Sequence, residues 1–243
     1  MQRVALATFI CFIIIQVPLS GQQLNADASP DDFTDLVKNT FGLDQELVNG
    51  EQYYNKHPRS KFHPYFSEPG FQFGSVTLRT KIYKGVRLKY DLYSQHVEIE
   101  YENIVGGNNQ VISVTDWVEA FSFGNFQFEK LNLEGEEDMF YQVIDTDHFT
   151  CYIYWEKGLV PINGSTTYTE QFTDEKRTLY LLLNKKPVGF SSRSDFAHHF
   201  PEANKKEIKR ALKKSQFKFR TASPAEIVRM MESVSNILEG NDM

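Results

Sequence analysis

The sequence predicts an α+β fold: a predominantly antiparallel β meander, built as a curved sheet or sandwich, followed by C-terminal helices. Three observations predict it. Residues 75–102 alternate apolar and polar side chains with period two across short turns, as half-buried antiparallel strands require. "EAFSFGNFQFEK" repeats that alternation around a turn that begins with glycine. After Phe190 the period lengthens, and apolar residues recur at three- and four-residue spacing. A run of strands followed by a run of helices is the order of an α+β domain.

The N-terminus, "MQRVALATFICFIIIQVPLSGQQ", sets Arg3 before an apolar run from Val4 to Ile15 and closes on the small residues Ser20 and Gly21. That is the layout of a secretory signal peptide, read here as residues 1–21. The run is shorter than the ~20 residues a spanning helix needs, so no transmembrane segment is expected. Cys11 lies inside the run and not after its exit, so a lipid anchor is not expected either. Cys151 is then alone in the mature chain and has no internal partner for a disulfide. Exported animal domains usually carry disulfides, so the lone thiol favours a bacterial envelope. The protein is therefore read as exported, periplasmic or extracellular. Residues 22–50 form a polar extension with a short helix at Pro30–Val37. Residues 51–190 form the β domain, and 191–243 a helical segment packed on it. The about 220 mature residues are enough for a real core. A chain 41% hydrophobic and 14% aromatic is folded and not disordered. Its net charge of −6 argues against nucleic acid as a partner.

The elements follow in order. A first strand is expected at Tyr53–His57. In "SVTLRTKIYKGVRLKYDLYSQHVEIEYE", a three-residue loop Tyr83-Lys84-Gly85, with Gly85 left-handed, pairs Ile82 with Val86, Leu78 with Tyr90 and Val76 with Leu92. Val76, Leu78, Ile82, Leu88, Tyr90 and Leu92 then share one dry side. A two-residue turn at Ser94-Gln95 sets Leu92 against Val97, Tyr90 against Ile99 and Leu88 against Tyr101. The other side carries Lys89 opposite Glu100 and Asp91 opposite Glu98, and reads as a solvated sheet face. The Asp91–Glu98 adjacency is unexplained by that reading and could hold a cation. In the next hairpin Gly124-Asn125 pairs Phe123 with Phe126 and Phe121 with Phe128, glycine in first place suiting a type II′ turn. Phe121, Phe123, Phe126 and Phe128 are either core or a platform for stacking a sugar or lipid chain. Strands are also expected at Val111–Thr115, Phe140–Ile144, Phe149–Trp155 and Leu179–Leu183, with a long polar loop from Gly158 to Lys176. "SDFAHHFPEANKKEIKRALKKSQ" is helical, with Pro201 near a first turn and Ile208, Ala211 and Leu212 on one side. Ser223 caps the last helix, Pro224 and Glu226 complete its start, and Ile227, Met231, Val234 and Leu238 form its apolar stripe.

Chemistry is sparse. Lys205, Lys206, Lys209, Arg210, Lys213 and Lys214 make a basic helix face, either solvated or in weak contact with an anionic surface or partner. His57 and His63 each precede a proline, and Asp195 and His199 lie one helical turn apart. No His-x-Glu pattern or third ligand accompanies them, so neither a metal nor another cofactor is expected. Asp145 to His148 and Gly135 to Asp138 lack the glycine and distal glutamate of a calcium loop and read as turns. Nucleophile-elbow, phosphate-loop and His-Glu-x-x-His motifs are absent, so no catalytic residue is assigned. Cys151 sits in an apolar strand, where its thiol pKa should rise and its reactivity fall.

The motifs "NGEQYY", "HPYF" at His63–Phe66, "YKGVRLKYDLYSQHVEIE", "VEAFSFGNFQFE" and "FPEANKKEIKRALKKSQFKFRTASPAEIVRMME" resemble a family of exported proteins of Bacteroidota. The likeness covers most of the mature chain, and its motifs are structural in kind. The resemblance implies a cell-envelope or secreted location and a β-rich domain ending in helices; it brings no activity and no catalytic residue. The chain departs from the family pattern at Phe62, where a glycine usually precedes the "HPYF" histidine, and in its longer N-terminal extension. The expected function is a non-enzymatic envelope module that binds a partner or small ligand through its sheet or an end of it. One alternative is a hydrolase acting on envelope or environmental polymers, marked by carboxylates or histidines converging in one cleft. Another is a carrier of an apolar ligand, marked by an apolar cavity of some ~300 Å³ or more.

Overall fold

Alternating strands joined by short turns build one open antiparallel sheet, and the longer-period C-terminal segment covers its apolar face. The structure is a computed structural model that describes residues 44–102, 106–133, 135, 137–183 and 186–240. The expected signal peptide, nearly all of the polar extension and the helix at Pro30–Val37 lie outside the described residues. The strands are β1 (Gly50–Gln52), β2 (Ser60–Lys61), β3 (Gln72–Leu78), β4 (Lys81–Asp91), β5 (His96–Glu102), β6 (Asn108–Ser113) and β7 (Val118–Phe123). They continue as β8 (Phe126–Leu131), β9 (Met139–Asp145), β10 (Thr150–Glu156), β11 (Leu159–Pro161), β12 (Glu170–Phe172), β13 (Lys176–Leu183) and β14 (Lys186–Phe190). The helices are α1 (Gln45–Val48), α2 (Arg193–His198), α3 (Glu202–Lys214) and α4 (Pro224–Glu239).

Eleven strands form the main sheet in the order β1-β6-β5-β4-β3-β7-β8-β9-β10-β13-β14, and each neighbouring pair is antiparallel. A second sheet of β11, β12 and β2 takes up part of the long polar loop expected between Gly158 and Lys176. The first strand ends at Gln52 and is not at Tyr53–His57. The Tyr53 amide still donates to the Gln110 carbonyl, at 3.1 Å, and the chain then leaves the sheet edge to cross its outer face.

The hairpin of β3 and β4 turns at a different place from the one its glycine predicts. Leu78 pairs with Lys81 and Val76 with Tyr83, so the reversal is at Arg79-Thr80. Arg79 takes the left-handed conformation there, at φ 55°, and its guanidinium stacks 3.9 Å from the centre of the Trp117 ring. Gly85, at φ 68°, is instead the extra residue of a bulge, opposite the step from Gly74 to Ser75. The bulge is needed. Uninterrupted alternation from Tyr83 would send Arg87 and Lys89 into the core, and one added residue brings in Val86, Leu88 and Tyr90 instead. Five of the six side chains expected on the dry side are buried there. Ile82 is not: it pairs with Thr77 on the other face and is 61% exposed. On the far side of β3, Gly74 crosses β7 so closely that a Cβ would stand 1.8 Å from the Ser122 carbonyl oxygen.

Phe123 pairs with Phe126 and Phe121 with Phe128, and Gly124 alone of the two turn residues has a positive φ, as a type II′ turn requires. Pro201, which has no amide hydrogen, separates α2 from α3. Helix α4 begins with a full capping box: Ser223 Oγ accepts from the Glu226 amide, and the Glu226 carboxylate accepts from the Ser223 amide. Ile208 and Leu212 of α3, with Ile227, Met231, Val234 and Leu238 of α4, join the strands in one apolar core. Phe149 against Phe200, and Phe190 against Phe196 and Phe219, tie the helical segment to the sheet.

Candidate functional site

The polar face of β4 and β5 is not solvated at its end. Lys89, Asp91 and Glu98 are buried, Glu98 completely. The covering is the segment between β1 and β3. Pro64–Phe66 takes over from β3 as the neighbour of β4: Phe66 N donates to Tyr90 O, and Leu92 N to Pro64 O, both at 2.9 Å. Alternation along this short extended piece sends Phe66 into the core and Tyr65 onto the charged face.

The strand register adds to this. Lys89 pairs with Glu98 and Asp91 with His96, two residues away from the expected Lys89–Glu100 and Asp91–Glu98 pairing. A four-residue loop, Leu92–Gln95, replaces the expected Ser94-Gln95 turn. Asp91 Oδ1 holds that loop by accepting from the amides of Tyr93 (2.8 Å) and Ser94 (2.9 Å). The Lys89 ammonium lies 3.0 Å from Glu98 Oε2, off the hydrogen-bonding direction. It also stands against three rings, 3.9 Å from the centre of Tyr65, 4.4 Å from Phe71 and 5.0 Å from Tyr53. Burial holds the Tyr65 phenol well above its ordinary pKa, so it stays a neutral hydroxyl, hydrogen-bonded to that of Tyr53 at 3.0 Å.

Asp91 and His96 form the floor of a cleft of about 370 Å³, whose walls include Tyr53, Tyr54, His57, Phe62, His63 and Tyr65. His57 Nδ1 is 2.8 Å from Glu170 Oε1. His63 stacks on Tyr65, and its Nδ1 is buried without a hydrogen-bond partner. At the mouth, Phe62 combines two unfavourable features: a left-handed φ of 65° and 64% exposure of the residue. Glycine is the residue that takes this φ without strain. A wider groove of about 1190 Å³ shares Phe62 and His63 with the cleft and adds Lys157, Arg177 and Arg220.

Burial, with the Lys157 ammonium beside it, lowers the His63 pKa, although Glu175 and Glu68 pull it back up. A depressed folded pKa means the unfolded chain takes up this proton first as the pH falls. Stability from neutral His63 is therefore full above the ordinary histidine value, about 6.5, and is lost as the pH falls through it toward the folded value. His63→Gln is expected to flatten that part of the profile, read from urea midpoints at pH 7.5, 6.5 and 5.5. A slope unchanged by the substitution would assign the acid sensitivity elsewhere.

The other expected sites stay apart from this cleft. Phe121, Phe123 and Phe128 are at most 3% exposed, and Phe66 packs edge-on against Phe123, Phe126 and Phe128. The hairpin thus fills the core and leaves no open stacking platform. Lys206, Lys209, Arg210, Lys213 and Lys214 are exposed along α3, with Lys205 paired to Glu202. His199 lies 4.0 Å from Asp195 at the far end of α2. Cys151 is fully buried, and burial raises its thiol pKa as its apolar strand implied. Sequence reasoning missed the joint placement of Asp91, His96 and Glu98. A signal was present: His96-Val97-Glu98 is itself a His-x-Glu triplet, and strand alternation puts both side chains on one face.

Comparison with protein-family models, curated proteins and solved structures returns no match. Among the described residues, no helix is long and apolar enough to cross a membrane.

Proposed function

We propose that this protein is an exported cell-envelope module, periplasmic or extracellular and without a lipid anchor, that binds a small ligand in the cleft at the end of β4 and β5. The observation that carries the reading is the rim. Tyr54 (65% exposed) and Phe62 (64%) line the cleft and face solvent beside a polar floor, and Tyr93 (41%) packs edge-on against the lining residues His57 and Phe172. Exposed rings beside convergent polar groups are what a ligand with one flat apolar face and one hydrogen-bonding edge requires. The exposed basic face of α3 gives the module a weak contact with anionic surfaces, and the resemblance to exported Bacteroidota proteins supports the envelope setting.

The test is to purify the protein from its native host under mild conditions and identify co-purifying small molecules by mass spectrometry. A molecule carried by the wild type and lost from a Tyr54→Ala/Phe62→Gly double variant supports the reading. The same profile on both proteins overturns it. A second reading, a hydrolase acting on envelope or environmental polymers, draws on a different observation: His57, His63, His96 and Asp91 converge on this one cleft. Its mark is cleaved polymer released by the wild type and not by His96→Gln.

A further inference from the structure

We infer that Asp91, His96 and Glu98 form a binding site for one first-row divalent cation such as Zn²⁺. The inference rests on the cleft being a ligand site and names what lies at its floor. One donor atom from each residue lies within 4.8 Å of the others. His96 Nε2 is 3.4 Å from Glu98 Oε1 and 3.9 Å from Asp91 Oδ2. Donors held at zinc distances of about 2.0–2.2 Å in tetrahedral array stand roughly 3.4 Å apart, so these spacings already approach those of a bound ion.

The surroundings orient the donors. Asp91 Oδ1 is occupied by the Tyr93 and Ser94 amides, which leaves Oδ2 for the shared point. Glu98 Oε2 faces Lys89, which leaves Oε1. Each carboxylate therefore has one oxygen engaged from outside and the other turned toward the His96 ring, an arrangement like the outer support that metal-ligating carboxylates carry. A second observation points the same way. Glu98 has no solvent exposure, and its Oε2 lacks a hydrogen bond, so the Lys89 charge alone compensates this carboxylate on that side. Two carboxylates, Asp91 and Glu98, stand here against the one ammonium of Lys89 in a buried place, an imbalance that attracts a divalent ion. Asp91 and His96 open to the cleft, so the ion has three protein donors and a free side, on which an anionic group of the ligand balances the remaining charge. One imidazole and two carboxylates bind Zn²⁺ or Mn²⁺ ahead of Mg²⁺ or Ca²⁺.

The experiment strips the full chain with chelator and titrates Zn²⁺ against a chromophoric competitor, with Mg²⁺ as a control. One equivalent of Zn²⁺ is expected, weakened at least tenfold in His96→Gln. His96→Gln keeps a polar side chain beside the cleft, and circular dichroism checks that the variant folds. Co²⁺ added to the unaltered protein gives a reading independent of any variant, as visible ligand-field bands that Zn²⁺ abolishes. Absence of stoichiometric Zn²⁺ binding, or binding that His96→Gln leaves unchanged, overturns the inference. These measurements read the ion alone. A protein that binds no zinc yet keeps its co-purifying molecule loses this inference and keeps the cleft, and the converse result does the reverse.

Discussion

Lys89→Met is expected to lower the unfolding free energy by about 3–5 kcal/mol, the loss typical of breaking a buried ion pair from one side. Glu98 has no exposed surface, and Lys89 is 8% exposed. Removing the ammonium leaves the carboxylate with only the His96 ring, 3.4 Å away, in a place where water does not reach. It also empties the space between Tyr53, Tyr65 and Phe71, whose rings now face a charge. Urea unfolding at neutral pH, with chelator present so that no ion substitutes for the lost charge, measures the effect. The double variant Lys89→Met/Glu98→Gln should recover much of the loss, since it removes both charges at once. A single-variant loss below about 1 kcal/mol would mean that Glu98 is not charged or not dry.

Phe66→Ala is the second large loss, also expected at about 3–5 kcal/mol, the range for emptying an aromatic site in a packed core. The ring is 1% exposed. It packs edge-on against Phe126 and Phe128 at 5.1 Å, Trp155 at 5.4 Å and Phe123 at 5.9 Å. Those partners come from β7, β8 and β10, so the surroundings cannot close on the cavity without moving three strands. The effect should reach function as well. Phe66 anchors the same short stretch that carries Tyr65 over Lys89, and loss of the anchor should loosen the cleft wall. Hydrogen exchange at the Phe66 and Leu92 amides, both bonded across to this stretch and to β4, would rise more than exchange at β10. Equal protection in both places would separate the anchor from the cleft.

What the chain determines by itself is local. Strict alternation around Gly124 set the phenylalanine hairpin, because a two-residue turn allows one register and glycine takes its positive φ freely. Ser223, Pro224 and Glu226 set the start of α4, because the capping box closes within three residues. The change of period after Phe190 set the order of sheet and helices. In each case the interacting groups are neighbours in sequence, so spacing alone names the partners.

Tertiary structure decided the rest. Alternation states which face a residue takes but not which residue it opposes, and a shift of two leaves every face unchanged. The pairing of β4 with β5 could therefore move from Asp91–Glu98 to Asp91–His96 without disturbing the apolar pattern. Gly85 reads from the sequence as the last residue of a loop; its place in a bulge came from the partner strands and from Arg79, which reverses the chain over Trp117. The site depended on a longer reach still. Lys89, Asp91 and Glu98 belong to a sheet face that reads as solvated, and they are dry because Tyr53, Tyr65 and Phe71 arrive from another part of the chain. Burial of a charge is a property of what covers it, and in this protein the cover is folded from residues 18 to 45 positions away.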